Sequence, residues 1–207
     1  TIGLPKSLTA ACGVDALTHC IEAYTVQLHQ PITDALALKG ISMIAENLEK
    51  AYENGEDREA RRNMMIASTI GGMAFISSNV GAVHAFAETV GAWFDTPHGV
   101  ANSLFLPYIM EFNIPACPER FADIADAMGI EREESMSDEQ YALKAVEYVK
   151  ALNRKLNIPT IKEIKGITEE RFEAIAERSA NNVLSNDNAR KITKEDYLEL
   201  LKKAYNE

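Results

Sequence analysis

A nearly uncharged stretch in the middle of the chain restricts its fold more than any other feature of the sequence. Between Asn63 and Met110 only Glu88 and Asp95 carry a formal charge, while the segments on both sides are densely charged. Such a stretch predicts interior helices, because apolar residues avoid water. Ser, Thr, Asn, Gly and His interrupt every apolar run before it reaches the roughly 20 residues that a bilayer requires, so no membrane span is expected.

Elsewhere, too, the spacing of apolar residues is helical. They recur every three or four residues, and no run alternates with the period of two that is typical of a strand. We therefore predict an all-α fold, a helical bundle without a sheet. Gly91 is expected to end the helix that contains His84 in a left-handed conformation. Ser137 and Thr193 are expected to cap two later helices, the first of which runs to Leu156.

Charge and cysteine content exclude several classes of protein. The 207 residues include 21 Lys and Arg against 31 Asp and Glu, a net charge of -10, with no dense cationic patch, which argues against nucleic acid as a partner. Three cysteines without a CxxC pair cannot form a disulfide framework and favour a reducing, cytoplasmic setting. The GxGxxG, GxxxxGK[ST], HExxH and GxSxG motifs are all absent.

Asp15 and His19 are four residues apart on the first predicted helix, so their side chains project from one face about one turn apart. That spacing can chelate a metal, although it can equally give a simple hydrogen bond. Cys12 and Glu22 lie near the same face. Glu22 is expected either to orient an imidazole from behind the metal ligands or to be an ordinary surface residue.

His84 and His98 lie within the uncharged stretch. Buried imidazoles are costly without partners, and a metal would satisfy both. One carboxylate and three imidazoles make a donor set that suits Fe(II), Zn(II), Co(II) or Ni(II) better than Mg(II) or Ca(II), which prefer oxygen ligands. The alternative is two core histidines hydrogen-bonded to carbonyl groups. His29, in a polar stretch, is expected to be exposed and idle.

Three segments resemble the iron-containing (group III) alcohol dehydrogenases, the group to which lactaldehyde reductase and 1,3-propanediol dehydrogenase belong. They are CGVDALTHCIEAYTVQ, TDALAL and GAVHAFAETVGAWFDTPHGVANSLFLPYIMEFN. PERFADIADAMG, LNIPTIKEI and NARKIT extend the resemblance to that family's C-terminal helical half, which has a dehydroquinate synthase-like fold. The resemblance implies that Asp15, His19, His84 and His98 bind a divalent metal, in the first place Fe(II), with Zn(II) as the alternative.

The resemblance also implies a reaction and a division of the chain. The metal would polarise a small primary alcohol or an aldehyde for hydride transfer to or from NAD(P), and Phe75 would line the substrate pocket. Residues 1–207 would form one metal- and substrate-binding domain, with metal-site helices in 1–115 and an amphipathic helical sub-bundle in 116–207.

The family's N-terminal nucleotide-binding domain, with its GGGS loop, has no counterpart in these residues. The chain alone is therefore expected to be inactive and to need that domain as a partner. No residue is assigned to cofactor binding. A homo-oligomer is expected.

Glu88 departs from the family pattern, which has HxxxH where this chain has His84 followed by Glu88. We expect Glu88 to relay the proton of the alcohol. The alternatives are that it helps to ligate the metal or forms a structural hydrogen bond. From the residues alone two other functions stay open: a stand-alone helical metal-binding or interaction module without turnover, and a metal-dependent lyase or hydrolase that uses the same ligands.

Overall fold

The computed structural model describes residues 1–207 and contains nine α-helices, four short 3-10 helices and no strand. The prediction of an all-α fold is therefore confirmed. The α-helices are α1 (Lys6–Thr25), α2 (Pro31–Glu53), α3 (Arg58–Ser78), α4 (Ala82–Phe94), α5 (His98–Asn113), α6 (Pro118–Ala127), α7 (Asp138–Lys155), α8 (Phe172–Ala180) and α9 (Lys194–Asn206). The 3-10 helices are Ile114–Ala116, Ile161–Glu163, Glu169–Arg171 and Val183–Asp187.

Two of the three predicted helix caps are present. Ser137 and Thr193 each accept a hydrogen bond from the backbone three residues later, at the start of α7 and α9. The prediction that Gly91 ends its helix is wrong. α4 continues to Phe94, which packs against the hydrophobic core, and Asp95 takes the left-handed conformation instead, with φ of 51°. Aspartate adopts that conformation at lower cost than most residues.

A single hydrophobic core of 49 buried residues runs through both halves of the chain. Near its centre the rings of Phe86 and Phe105 stack with centroids 4.0 Å apart, and the ring of Tyr197 meets Phe86 edge-on at 4.6 Å. These residues join α4 and α5 to the last helix, α9. The core is thus continuous across residues 115 and 116, and the division of the chain at that point stays a prediction.

The uncharged stretch is only partly interior, so that expectation is corrected. α3 packs on α1 and α2 by one face, and its opposite face, like the end of α4, carries exposed apolar side chains. They are Met65, Ile66, Met73, Ile76 and Trp93. None of the nine α-helices by itself has the length and hydropathy of a membrane span. Only α3 and α4 taken together have enough length and apolar composition for a span, and these two helices are bent by 105° relative to each other.

Candidate metal centre

Asp15, His19, His84 and His98 come together where α1, α4 and α5 meet. One ligand atom from each lies within 4.8 Å of the others. With metal–ligand bonds of about 2.1 Å, two ligand atoms of one ion are separated by roughly 3.4 Å in a tetrahedron and by roughly 4.2 Å on opposite sides of the metal. A small contraction would therefore let the four side chains hold one ion.

His84 is the central ring of the cluster. Its centroid is 4.7 Å from that of His19 and 5.3 Å from that of His98. The Asp15 carboxylate faces the two outer rings, with Oδ2 at 3.9 Å from His19 Nδ1 and Oδ1 at 3.6 Å from His98 Nε2. The carboxylate thus lies beside the two outer imidazoles, while the central ring of His84 is paired with Glu22.

Exposure rises across the cluster from one side to the other. His84 is buried, the side chains of Asp15 and His19 are about one-fifth exposed, and the side chain of His98 is 50% exposed. Solvent therefore reaches the cluster from the side of His98. A small molecule could approach the four ligand atoms from the same side.

Glu22 is buried behind His84 and is not an ordinary surface residue. Its Oε2 lies 2.5 Å from His84 Nδ1, and its Oε1 accepts a hydrogen bond of 2.7 Å from the backbone N–H of Val83. A carboxylate only accepts, so the Nδ1 atom of His84 carries the proton. In the neutral ring the lone pair is then on Nε2, the atom that a metal would bind.

Burial and neighbouring charges move the pKa values of the two innermost histidines in opposite directions. Burial, together with the adjacent His84 ring, lowers the pKa of His19 to about 4. Burial also acts to lower the pKa of His84, but the hydrogen bond and the charge of Glu22 outweigh it, and the pKa of His84 is raised. His19 is thus held as the neutral imidazole that metals bind, and any proton on the pair belongs to His84 beside Glu22.

Two glycines allow the helices to approach closely enough to form the cluster. A Cβ atom on Gly99 would lie 2.4 Å from the carbonyl oxygen of Ala11 and 3.3 Å from Cβ of Asp15, so only glycine lets the start of α5 lie against α1. A Cβ atom on Gly81 would lie 3.2 Å from Glu22 Oε1. The absence of side chains there leaves room for His98 to reach Asp15 and for Glu22 to reach α4.

Asn102, which was not among the predicted site residues, also belongs to the cluster. It lies on α5 one turn after His98 and is fully buried, and its Nδ2 atom is 2.6 Å from Asp15 Oδ1. The one sequence signal that could have found it is the spacing of four residues from His98 in PHGVAN.

Phe75 borders the cluster, whereas His29 does not. The half-buried ring of Phe75 stacks on His19, with centroids 4.5 Å apart and an angle of 18° between the planes. His29 is exposed, as expected, and its Nδ1 lies 3.5 Å from the Asp34 carboxylate.

Glu88 lies one turn after His84 on α4 and is exposed. It is not one of the four clustered ligands. Its Oε2 accepts a hydrogen bond of 2.6 Å from Nδ2 of Asn182, whose Oδ1 in turn accepts from the backbone N–H of Leu184. The amide of Asn182 is thereby held with its donor toward Glu88, and the carboxylate of Glu88 is tethered at the surface.

Comparison with known proteins gives a consistent result. A model of the Fe-containing alcohol dehydrogenase family, C-terminal, matches residues 9–205. Alcohol dehydrogenase 4 of Saccharomyces cerevisiae is 43% identical in an alignment of 206 residues that covers 98% of this chain and 52% of that protein. 1,3-Propanediol dehydrogenase of Klebsiella pneumoniae is 40% identical over 204 residues, 99% of this chain and 52% of that protein.

A solved structure has the same fold. The crystal structure of a 1,3-propanediol oxidoreductase superposes with a TM-score of 0.95 at 40% identity, covering 99% of this chain and 53% of that one. The chain therefore spans about half the length of the relatives that it matches.

Proposed function

Because the chain belongs to the Fe-containing alcohol dehydrogenase family, we propose that it is the metal- and substrate-binding half of an NAD(P)-dependent alcohol dehydrogenase or aldehyde reductase. The observation that carries this proposal is the convergence of one carboxylate and three imidazoles within 4.8 Å of one another, open to solvent on one side.

The chemistry of the donor set fits a divalent transition metal. The only charged partners of Asp15 and Glu22 are imidazoles, so no lysine or arginine offsets the two carboxylates. Nitrogen-rich sites with one carboxylate favour Fe(II) or Zn(II) over Mg(II) and Ca(II). Asp15, His19, His84 and His98 would hold the ion, with Fe(II) as the first candidate and Zn(II) as the second.

A metal bound there supplies a Lewis acid for the oxygen of a small primary alcohol or an aldehyde. The protein residues around it have separate tasks. Glu22 holds the Nδ1 proton of His84 and so keeps the Nε2 lone pair directed at the ligand cluster. Phe75 covers one face of His19 and excludes water from that side of a substrate pocket.

We assign proton transfer to Glu88. It is the only carboxylate in α4 and lies one turn after His84, it is exposed, and the amide of Asn182 holds one of its oxygens. An exposed carboxylate can exchange a proton with solvent, whereas the buried Glu22 is committed to His84 and Val83.

The hydride acceptor belongs to a second domain. None of the residues 1–207 forms a glycine-rich phosphate loop, and the relatives are about twice as long as this chain. We propose that residues 1–207 act as one metal and substrate domain and that NAD(P) binds a nucleotide-binding partner domain of the kind that the relatives' remaining length would provide.

Metal loading of the purified chain tests the proposal. After anaerobic incubation with Fe(II), or incubation with Zn(II), and removal of free ion, elemental analysis should give one metal per chain. Asp15→Ala and His84→Ala should lose it, while His29→Ala, a histidine outside the cluster, should retain it. A stoichiometry near zero for both metals, with the helical circular dichroism spectrum intact, would refute the proposed metal centre.

A further inference from the structure

The amide of Asn102 touches three of the four clustered side chains. Its Nδ2 atom lies 2.6 Å from Asp15 Oδ1, 3.1 Å from His98 Nε2 and 3.2 Å from His84 Nε2. No part of the side chain reaches solvent. No other side chain is hydrogen-bonded to the carboxylate and to both imidazoles.

The chemistry of these neighbours fixes which end of the amide faces them. The Asp15 carboxylate accepts hydrogen bonds only, and the neutral ring of His84 presents a lone pair on Nε2 because its Nδ1 proton is directed at Glu22. An amide oxygen in the same place would face lone pairs and a carboxylate. The nitrogen is therefore directed inward, and Oδ1 of Asn102 is left buried without a hydrogen-bond partner.

An unpaired buried carbonyl group costs free energy, so a side chain that carries one has a gain elsewhere. Here the gain is that one buried amide holds three ligands, from α1, α4 and its own helix α5, in a fixed arrangement while no cation is bound. The amide has two N–H groups for three acceptors. The group at 2.6 Å secures Asp15, whose carboxylate keeps further lone pairs for a cation, and the other serves only one imidazole at a time. A cation that binds the ring nitrogens would displace this second hydrogen bond and leave the one to Asp15.

We propose that Asn102 is a positioning residue that turns the Asp15 carboxylate and the His84 and His98 rings toward one point before the metal enters. This inference rests on the proposed metal centre. Asn102 is given no role as a metal ligand and no contact with substrate. The expected effect is on metal binding by residues 1–207 alone, without a nucleotide-binding domain.

The test replaces Asn102 by leucine, which has nearly the same shape but no polar atom. We expect the Kd for Zn(II), measured by chelator competition, to rise about 10- to 100-fold, as is typical when an outer partner of a metal ligand is removed. The visible spectrum of the Co(II)-loaded protein should change as well, because the orientation of Asp15 is lost. Ser103→Ala is the matched control: it removes a buried hydrogen bond to Gly99 on the same helix and should leave the Kd within about two-fold.

Each outcome decides the proposal. A Zn(II) affinity and a Co(II) spectrum that are unchanged in Asn102→Leu, in a protein with intact circular dichroism, overturn it. If the leucine variant does not fold, Asn102→Ser is measured in the same way, since serine keeps a hydroxyl but is too short to reach Asp15, and an unchanged affinity again overturns the proposal.

The wild type and Asp15→Ala separate this inference from the proposed function. If the wild type binds no metal, both are wrong. Suppose instead that the wild type binds one ion, that Asp15→Ala loses it, and that Asn102→Leu binds it as tightly as the wild type. In that case only the role of Asn102 is wrong.

Discussion

Glu22 and His84, which are 62 positions apart in the chain, form a buried hydrogen bond of 2.5 Å between Oε2 and Nδ1. The same carboxylate also accepts from the backbone of Val83 at the start of α4. One side chain of α1 therefore fixes both the position of α4 and the tautomer of the histidine that α4 brings to the cluster.

Replacement of Glu22 by glutamine is expected to weaken metal binding. The amide can donate to Nδ1 of His84, which favours the tautomer with its proton on Nε2, the atom that should bind the metal. We expect the Kd for Zn(II) to rise about 10- to 100-fold. Glu134→Gln, which makes the same change at an exposed position, is the control. Equal affinities in the two variants would show that Glu22 does not orient the ligand.

Glu88→Gln separates the three roles considered for this residue. If Glu88 relays protons, the variant keeps its metal content and melting temperature, but turnover falls about 100-fold or more and the pH–rate profile changes. A ligand would lose metal, and a structural carboxylate would lose stability with turnover nearly intact. The turnover assay requires the chain joined to the proposed nucleotide-binding domain, whereas metal content and melting temperature can be measured on the chain alone. A full rate with an unchanged pH profile would end the relay proposal.

Gly99→Ala is expected to destabilise the fold and the metal centre together. The added methyl group would lie 2.4 Å from a carbonyl oxygen of α1, so α5 must shift away from Asp15. Overpacking of this kind costs about 1–3 kcal/mol, which urea unfolding would measure. Gly72→Ala in α3 is the matched control, because nothing lies within 4 Å of its added Cβ and alanine is the better helix former by about 1 kcal/mol. Equal unfolding free energies for the two variants would contradict the proposed close contact.

The metal-free protein should lose stability in acid through His19. Its pKa is lowered by burial and by His84 to about 4, whereas in the unfolded chain it is about 6.5. Between these values the unfolded state binds a proton that the folded state does not, so the free energy of unfolding falls as the pH falls from 6.5 toward 4. In the presence of EDTA, His19→Gln should show a shallower decline over this range. Parallel curves for the two proteins would mean that His19 does not titrate as described.

The chain alone should not bind NADH tightly or oxidise alcohols. A dinucleotide would have no glycine-rich loop here for its phosphates and would lose most of its contacts. Calorimetry of the purified chain with NADH is expected to show no tight complex. Tight binding would reveal a cofactor site within the helical domain itself.

Several features of this protein followed from the sequence because they are local. Apolar residues that recur every three or four positions indicate a helix, so the all-α fold was predictable. The caps at Ser137 and Thr193 were predictable because each depends on residues within one turn of the helix start. The separation of four residues likewise places Asp15 and His19 one turn apart on α1. Cluster membership of His84 and His98 was predicted from the cost of burying imidazoles and from the family resemblance. The premise of burial is correct for His84 and wrong for His98, whose side chain is 50% exposed.

The tertiary structure alone decided which side chains meet across the helices. The sequence left Glu22 as either a partner of an imidazole or a surface residue, and only the packing of α1 against α4 brings it to His84. Asn102 was not predicted, because its role depends on Asp15, which is 87 positions away. The uncharged composition of residues 63–78, which form most of α3, did not indicate that one face of that helix is exposed. Helical periodicity depends on residues that are close in the chain. Which side chains are buried and which pair with each other depends on how whole helices pack, and that packing brings the four candidate metal ligands together.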